Sequence, residues 1–278
     1  MARVVRGYDA LPALEARVVL FLGGGDSGKT TLAAEMARRE CSRRKIALLD
    51  IDVGQSHIGP PSTIAWAPCR GRFPGFERLP VGGLYFTGDI SPARSIRACL
   101  RGAGLMFAEA SRNCPRIIID TDGYVEGGGA VAYKTALIRS IRPDCVVACG
   151  GRADLSPILE KIAPALLIMT RPQEGAHPKS SARRAAYRCA RFRDYFSCPR
   201  VRYFPRRLFH PGLPGEGIRG LLAGLVRPDG SHSAVGVILG DARGRIPVLV
   251  PRSAVRPVAS VITGSARLPD GILELPVF

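Results

Sequence analysis

The sequence predicts an α/β fold in which a mostly parallel sheet is flanked by helices and followed by a small, mostly-β C-terminal domain. Three observations predict it. Short continuous apolar runs recur between Arg17 and Met169, as strands buried on both faces require. Helical periods separate these runs, giving the strand–helix–strand order of right-handed crossovers. Beyond about residue 200 the helical periods give way to short apolar runs around a glycine-containing turn.

The elements follow in order. Residues 1–16 form a short arm with no clear period. The run Arg17-Val18-Val19-Leu20-Phe21-Leu22 reads as a buried strand and enters a Gly-rich turn. Residues 30–44 read as a helix, with Leu32, Ala33, Met36 and Ala37 at helical spacing, and 46–51 as a second buried strand. Ile117-Ile118-Ile119 ends in Asp120. Residues 131–141 read as helix, 145–149 as strand, 155–162 as helix, 165–169 as strand and 180–196 as a basic helical stretch. These elements delimit a core domain over 17–200. In the expected β-rich domain over 201–278, Val235 to Leu239, the turn Gly240-Asp241-Ala242-Arg243-Gly244 and Ile246 to Val250 read as a hairpin. Residues 260–263 and 272–277 add strands.

Composition narrows the class. Apolar residues make up 46% of the 278, enough for a core, which excludes wholesale disorder. The 32 glycines and 23 prolines follow no collagen-like period and read as turns. No apolar run approaches the roughly 18 residues of a membrane helix, and the first residues lack a signal-peptide stretch, so a soluble, intracellular protein is expected. Forty basic residues against 23 acidic ones give a net charge of +17, and only five of the forty are lysines. An arginine-dominated surface favours a polyanionic partner, nucleic acid above all, over an evenly solvated surface. The eight cysteines contain no C-x-x-C pair, and the four histidines have no metal spacing; most of the cysteines read as small buried apolar residues.

Gly23-Gly24-Gly25-Asp26-Ser27-Gly28-Lys29-Thr30 fits the phosphate-binding pattern G-x-x-x-x-G-K-[ST] without a mismatch, between a buried strand and a helix. Glycines let successive N–H groups point at phosphate oxygens, and the following helix N-terminus adds positive potential. This makes the core a P-loop NTPase. Gly23, Gly25, Asp26, Ser27 and Gly28 cradle the phosphates, Lys29 reaches the β- and γ-phosphates, Thr30 sits on Mg²⁺ and Thr31 meets the α-phosphate. Asp50 and Asp52 end the second strand two residues apart, on one face if the strand stays regular. One suits Mg²⁺, the other acceptance of a proton from an attacking hydroxyl. The loop alone leaves kinase, switch and motor chemistry open.

The loop, together with Asp50-Ile51-Asp52-Val53-Gly54-Gln55-Ser56 and Gly59-Pro60-Pro61-Ser62-Thr63-Ile64, resembles the polynucleotide 5′-hydroxyl kinase family. That family includes the kinase subunit of the mRNA 3′-end cleavage factor, the ribosomal-RNA-processing kinase and their archaeal relatives. Phe86-Thr87-Gly88-Asp89-Ile90-Ser91-Pro92 resembles its F-x-G-x-x-[ST]-P element. Asp120-Thr121-Asp122-Gly123-Tyr124 resembles its N-T-x-G-W segment, with Asp for Asn and Tyr for Trp. Residues 180–188, leading into Arg193-Asp194-Tyr195-Phe196, resemble its arginine-bearing lid. The resemblance spans about residues 17–200. Members carry a β-rich domain ahead of the core, where about 16 residues stand here.

The resemblance implies transfer of the ATP γ-phosphate to the 5′-OH of single-stranded or end-exposed RNA, and of DNA in some members. Lys29, Asp52, Arg183 and Arg188 are the expected catalytic residues. Thr30, Asp50 and Asp52 are the expected Mg²⁺ residues, and Gln55, Thr121, Gly123, Tyr124 and Arg184 the expected substrate contacts. Arg184, Arg188 and Arg191 share one helical face with no acidic neighbour in sequence before Asp194, and Arg183 lies beside it. A regulatory ATPase or GTPase switch, or a non-catalytic nucleotide-binding subunit of an RNA-processing complex, are the alternatives. The guanine-recognition motif N-K-x-D is absent, which weighs against a GTPase.

Overall fold

A computed structural model describes residues 3–5, 15–164, 166–170, 179–213, 216–242, 244–254, 257–268 and 271–272. The sheet is parallel through six adjacent strands: β1 (Arg3–Val5), β8 (Leu166–Thr170), β7 (Cys145–Cys149), β2 (Val18–Gly23), β6 (Arg116–Asp120) and β3 (Ile46–Asp50). It continues antiparallel through β4 (Thr63–Cys69) and β5 (Gly83–Phe86).

The apolar runs are continuous because helices cover both faces. Val18, Leu20 and Leu22 point to one face, where they meet Cys99, Ala103 and Met106 of α2 (Ile96–Asn113), Leu137 of α3 (Gly128–Ile141) and Ile158 of α4 (Arg152–Leu159). Val19 and Phe21 point to the other, against Ala33, Met36 and Ala37 of α1 (Lys29–Cys41). The period of two along each strand sorts one sequence run onto two cores.

The C-terminal strands extend the sheet. β12 (His232–Ile238) reaches β5 through the pair His232↔Leu84. On it follow β11 (Leu221–Val226), β14 (Ser260–Arg267) and β10 (Phe209–His210), while β13 (Arg245–Pro251) pairs β12 and β9 (Pro199–Pro205). The helix α5 (Ser181–Tyr195) leans on these strands: Phe192 and Phe196 are buried against Leu222, Val235 and Val237, and Val235 N–H donates to the Tyr195 hydroxyl at 2.9 Å.

Some boundaries move. α1 stops at Cys41 rather than residue 44, because Arg43 and Arg44 N–H both turn back to Glu40 O at 3.0 Å. α4 sits three residues earlier than read, and its end is closed by Glu160 N–H on Ser156 O. The expected period-free arm contributes β1, and residues 273–277 of the expected last strand lie outside the described residues. The eight cysteines are free and six are buried. Among the described residues no helix is long and apolar enough to cross a membrane.

Candidate active site

The strand order positions the chemistry. β6 lies between β2 and β3, so the carboxyl ends of these three strands stand side by side, with Asp120 level with Phe21 on one flank and Asp50 on the other. Above them opens a cavity of about 920 Å³, lined by the 25–31 loop and helix start, Asp52, Gln55, His57, the Asp122–Glu126 segment, Lys179, Arg184 and Arg188. The crevice beyond the strand ends is where open α/β sheets hold ligands.

The phosphate loop is held by close backbone approaches. A Cβ on Gly23 would lie 2.3 Å from Cys149 O, and one on Gly123 would lie 2.6 Å from Gly25 N. Gly28 caps α1 at φ 88°, and Asp26 holds φ 57°, a region Asp tolerates better than most side chains. Lys29 is 6% exposed, and its ammonium donates to Gly24 O at 2.5 Å, folded over the loop where a phosphate would sit. Thr31 lines the cavity; Gly23, expected in the cradle, is absent from its wall and packs against Cys149 O.

Thr30 Oγ1 donates to Asp120 Oδ2 at 2.6 Å, and Asp120 Oδ1 is buried with no hydrogen-bond partner among the described residues. Asp50, expected to share Mg²⁺ with Thr30, is engaged elsewhere. Its Oδ1 accepts the Asp52 amide at 3.0 Å, and its Oδ2 accepts the amides of His57 and Ile58 at 2.6 and 3.0 Å. The intervening β6 separates it from the loop, and Asp120, not Asp50, is the carboxylate that meets Thr30. Burial pushes the Asp50 carboxyl up to about 7 despite His57 and these amides, and it raises Asp120 against the pull of Lys29.

Asp52 does line the cavity. Its Oδ1 accepts the Gly54 and Gln55 amides at 3.0 and 2.9 Å, and no protein donor among the described residues meets its other oxygen. Gln55 lines the same wall and donates to Arg184 O at 3.3 Å. Gly123 and Tyr124 line the cavity as well, the Tyr124 ring tilted 29° from that of Tyr133 with centroids 6.5 Å apart. Thr121, read as a substrate contact, is buried, and its hydroxyl donates to Phe21 O at 2.8 Å, tying β6 to β2.

The lid arginines separate by role. Arg184 Nη2 reaches Asp26 Oδ2 at 2.8 Å, and Arg188 lines the cavity without a protein partner among the described residues. Arg183, expected to be catalytic, is exposed and absent from the cavity wall; its amide donates to Ser180 Oγ, the helix cap, at 3.2 Å. Arg191 donates to the carbonyls of His57 and Gly59 at 3.0 and 2.8 Å, so backbone groups use this face although the local sequence offers no acid. Burial opposes charge on Asp26, but the Arg184 hydrogen bond and Lys179 hold its carboxyl below the usual value.

Three groups at the cavity lie outside the expected site residues. His57 Nδ1 lies 2.9 Å from Glu77 Oε1 and 2.6 Å from the Tyr187 hydroxyl of α5. The His57 hydrogen bond brings Glu77 down to about 2. Lys134, completely buried, places its ammonium 2.9 Å from both Asp122 Oδ2 and Asp122 O, bracing the Gly123–Tyr124 wall. The Thr30–Asp120 pairing is the third, and the Asp120 that ends an isoleucine run was its sequence signal.

Fold, loop and facing carboxylates define a P-loop nucleotide-binding protein. Residues 23–198 match the family described as mRNA cleavage and polyadenylation factor CLP1 P-loop, and the chain belongs to that family. It is 31% identical over 185 residues to the polyribonucleotide 5′-hydroxyl-kinase of Methanocaldococcus jannaschii, covering 66% of this chain and 51% of that protein. The polyribonucleotide 5′-hydroxyl-kinase of Pyrococcus furiosus is 30% identical over 184 residues, with coverage of 66% and 51%. The chain thus spans about half the length of the curated relatives it matches. A solved Clp1p–Pcf11p complex shares the fold with a TM-score of 0.67 at 12% identity, over 92% of this chain and 76% of that one.

Proposed function

We propose that this chain transfers the γ-phosphate of ATP to the 5′-hydroxyl of RNA. The observation that carries the reading is one cavity lined by Lys29 and Thr30 of the phosphate loop, Asp52 and Gln55, and Gly123–Tyr124. Relatives named polyribonucleotide 5′-hydroxyl-kinases support the acceptor, and so does the arginine-rich net charge of +17.

The residues assign themselves to an in-line displacement. The loop amides and Lys29 hold the triphosphate. Asp52 accepts the 5′-hydroxyl proton as the new O5′–P bond forms and the bond from Pγ to the bridging oxygen breaks, its electron pair leaving on ADP. Arg188 offsets charge on the transferring group, and Arg184 takes the same role once exchanged from Asp26. Tyr124, backed by Tyr133, stacks the terminal base.

The unpartnered, buried Asp120 Oδ1 beside Thr30 Oγ1 fits a divalent cation. Among the described residues no three His, Cys, Asp or Glu cluster to hold a metal by themselves, and Mg²⁺ ordinarily takes one or two carboxylates plus phosphates. Thr30 and Asp120 would hold it, with Asp52 nearby, and bound there it would neutralise phosphate charge. The testing experiment offers γ-labelled ATP to RNA bearing either a 5′-hydroxyl or a 5′-phosphate. Label on the 5′-hydroxyl RNA alone is expected; phosphate release with no labelled RNA rejects the reading in favour of a switch.

A further inference from the structure

A second cavity, of about 580 Å³, adjoins the first, within the size range of ligand sites. Pro92 lines the first cavity while Ala93 and Arg94 line the second, so the single turn Pro92–Arg94 is their shared wall. The far wall is β14, which is fixed to the turn after β5: the Ser265 and Ala266 amides donate to Gly88 O at 2.8 and 3.0 Å. Gly264 permits that approach, since a Cβ there would lie 2.6 Å from Gly88 O.

The electrostatics of this cleft are those of an anion site. The one carboxylate on its lining among the described residues, Asp89, is 2% exposed and already partnered: Oδ1 takes the Ser91 amide at 2.8 Å and Arg94 Nε at 3.1 Å, and Oδ2 takes the Ser265 hydroxyl at 2.6 Å. Arg94 remains 67% exposed. Arg97 lines the cleft a turn further on and Arg101 follows on the same helical face; no carboxylate among the described residues pairs with either. The Thr87 and Ser95 hydroxyls donate to backbone carbonyls. The Thr263 hydroxyl, shut away from bulk solvent on the same lining, has no hydrogen-bond partner among the described residues.

We propose that this cleft binds the phosphodiester backbone of the acceptor strand just downstream of the end seated in the first cavity, with Arg97 on a phosphate and Thr263 as a further donor. The assignment takes its acceptor from the kinase reading. It gives the C-terminal strands a part in substrate binding that the core alone would lack.

The test is fluorescence anisotropy of the intact chain with 3′-fluorescein-labelled, 5′-hydroxyl RNA, a dinucleotide and a hexanucleotide, over a range of salt. The hexanucleotide should bind more tightly. Arg97→Ala should weaken it roughly fivefold to tenfold, reduce its salt slope by about one and leave the dinucleotide within about twofold. Thr263→Val, which keeps the side-chain shape, should weaken the hexanucleotide without moving the melting temperature. Unchanged hexanucleotide affinity and salt slope in Arg97→Ala overturn the proposal, whether or not phosphate is transferred. Salt-dependent loss in Arg97→Ala with no transfer from ATP by the wild type supports the cleft and rejects the kinase reading.

Discussion

Arg184 of the lid helix grips Asp26 of the phosphate loop at 2.8 Å, although 158 residues separate them. The contact docks α5 over the cavity and sets a guanidinium on its wall. Asp26→Asn removes the ion pair but keeps the loop. Hydrogen exchange of the 181–195 amides in the free protein should accelerate about fivefold, the equivalent of ~1 kcal/mol for a partly exposed pair. Unchanged exchange would show that Phe192 and Arg191 hold the lid unaided.

Gly123 sits so close to the phosphate loop that an added Cβ would fall 2.6 Å from Gly25 N. Gly123→Ala should displace the loop and weaken ATP binding by about 10²-fold, an effect near 3 kcal/mol. Isothermal titration with ATP checks it; wild-type affinity would mean the loop shifts at no cost.

Asp120, through Thr30 and its unpartnered oxygen, is the carboxylate we assign to the cation. Asp120→Asn should retain ATP binding measured without Mg²⁺ and lose transfer by about 10²–10³-fold. Asp50→Asn should instead show itself chiefly in folding, because Asp50 supports three loop amides. If Asp50→Asn removes the Mg²⁺ dependence and Asp120→Asn does not, the assignment is reversed.

His57 links the lid to the site floor. Burial works against its charge, but the Glu77 hydrogen bond, with Asp50 and Asp120, holds the imidazole above its ordinary value. A raised folded value stabilises below the unfolded value near 6.5 and is lost as pH rises through the folded value. The gap in unfolding free energy between wild type and His57→Gln should therefore be about 1.5–3 kcal/mol at pH 5.5 and shrink by pH 9. A gap that grows with pH would contradict the Glu77–His57–Tyr187 arrangement.

Much of this was legible in the residues. Val18–Gly23 and Cys145–Cys149 are apolar throughout because both faces are covered, and the phosphate loop follows the first of them directly. Strand order was not legible, because it is a long-range property. Nothing near Asp50 says that Arg116–Asp120 inserts between it and the loop. α2 was invisible as an element since its buried stripe is Cys99, Gly102, Ala103, Met106 and Ala110, small residues that a search for Leu and Ile passes over. Thr121 and Arg183 carry side chains suited to substrate contact, yet Thr121 ties two strands together and Arg183 stands exposed beside the helix cap.

We propose that Asp52 faces the acceptor hydroxyl across the cavity from the phosphate loop. Its most direct test measures ATP affinity and phosphate transfer to a 5′-hydroxyl RNA side by side in wild type and Asp52→Asn. ATP affinity within about threefold of wild type is expected, with transfer reduced at least about 10²-fold. Transfer at the wild-type rate in Asp52→Asn would contradict it.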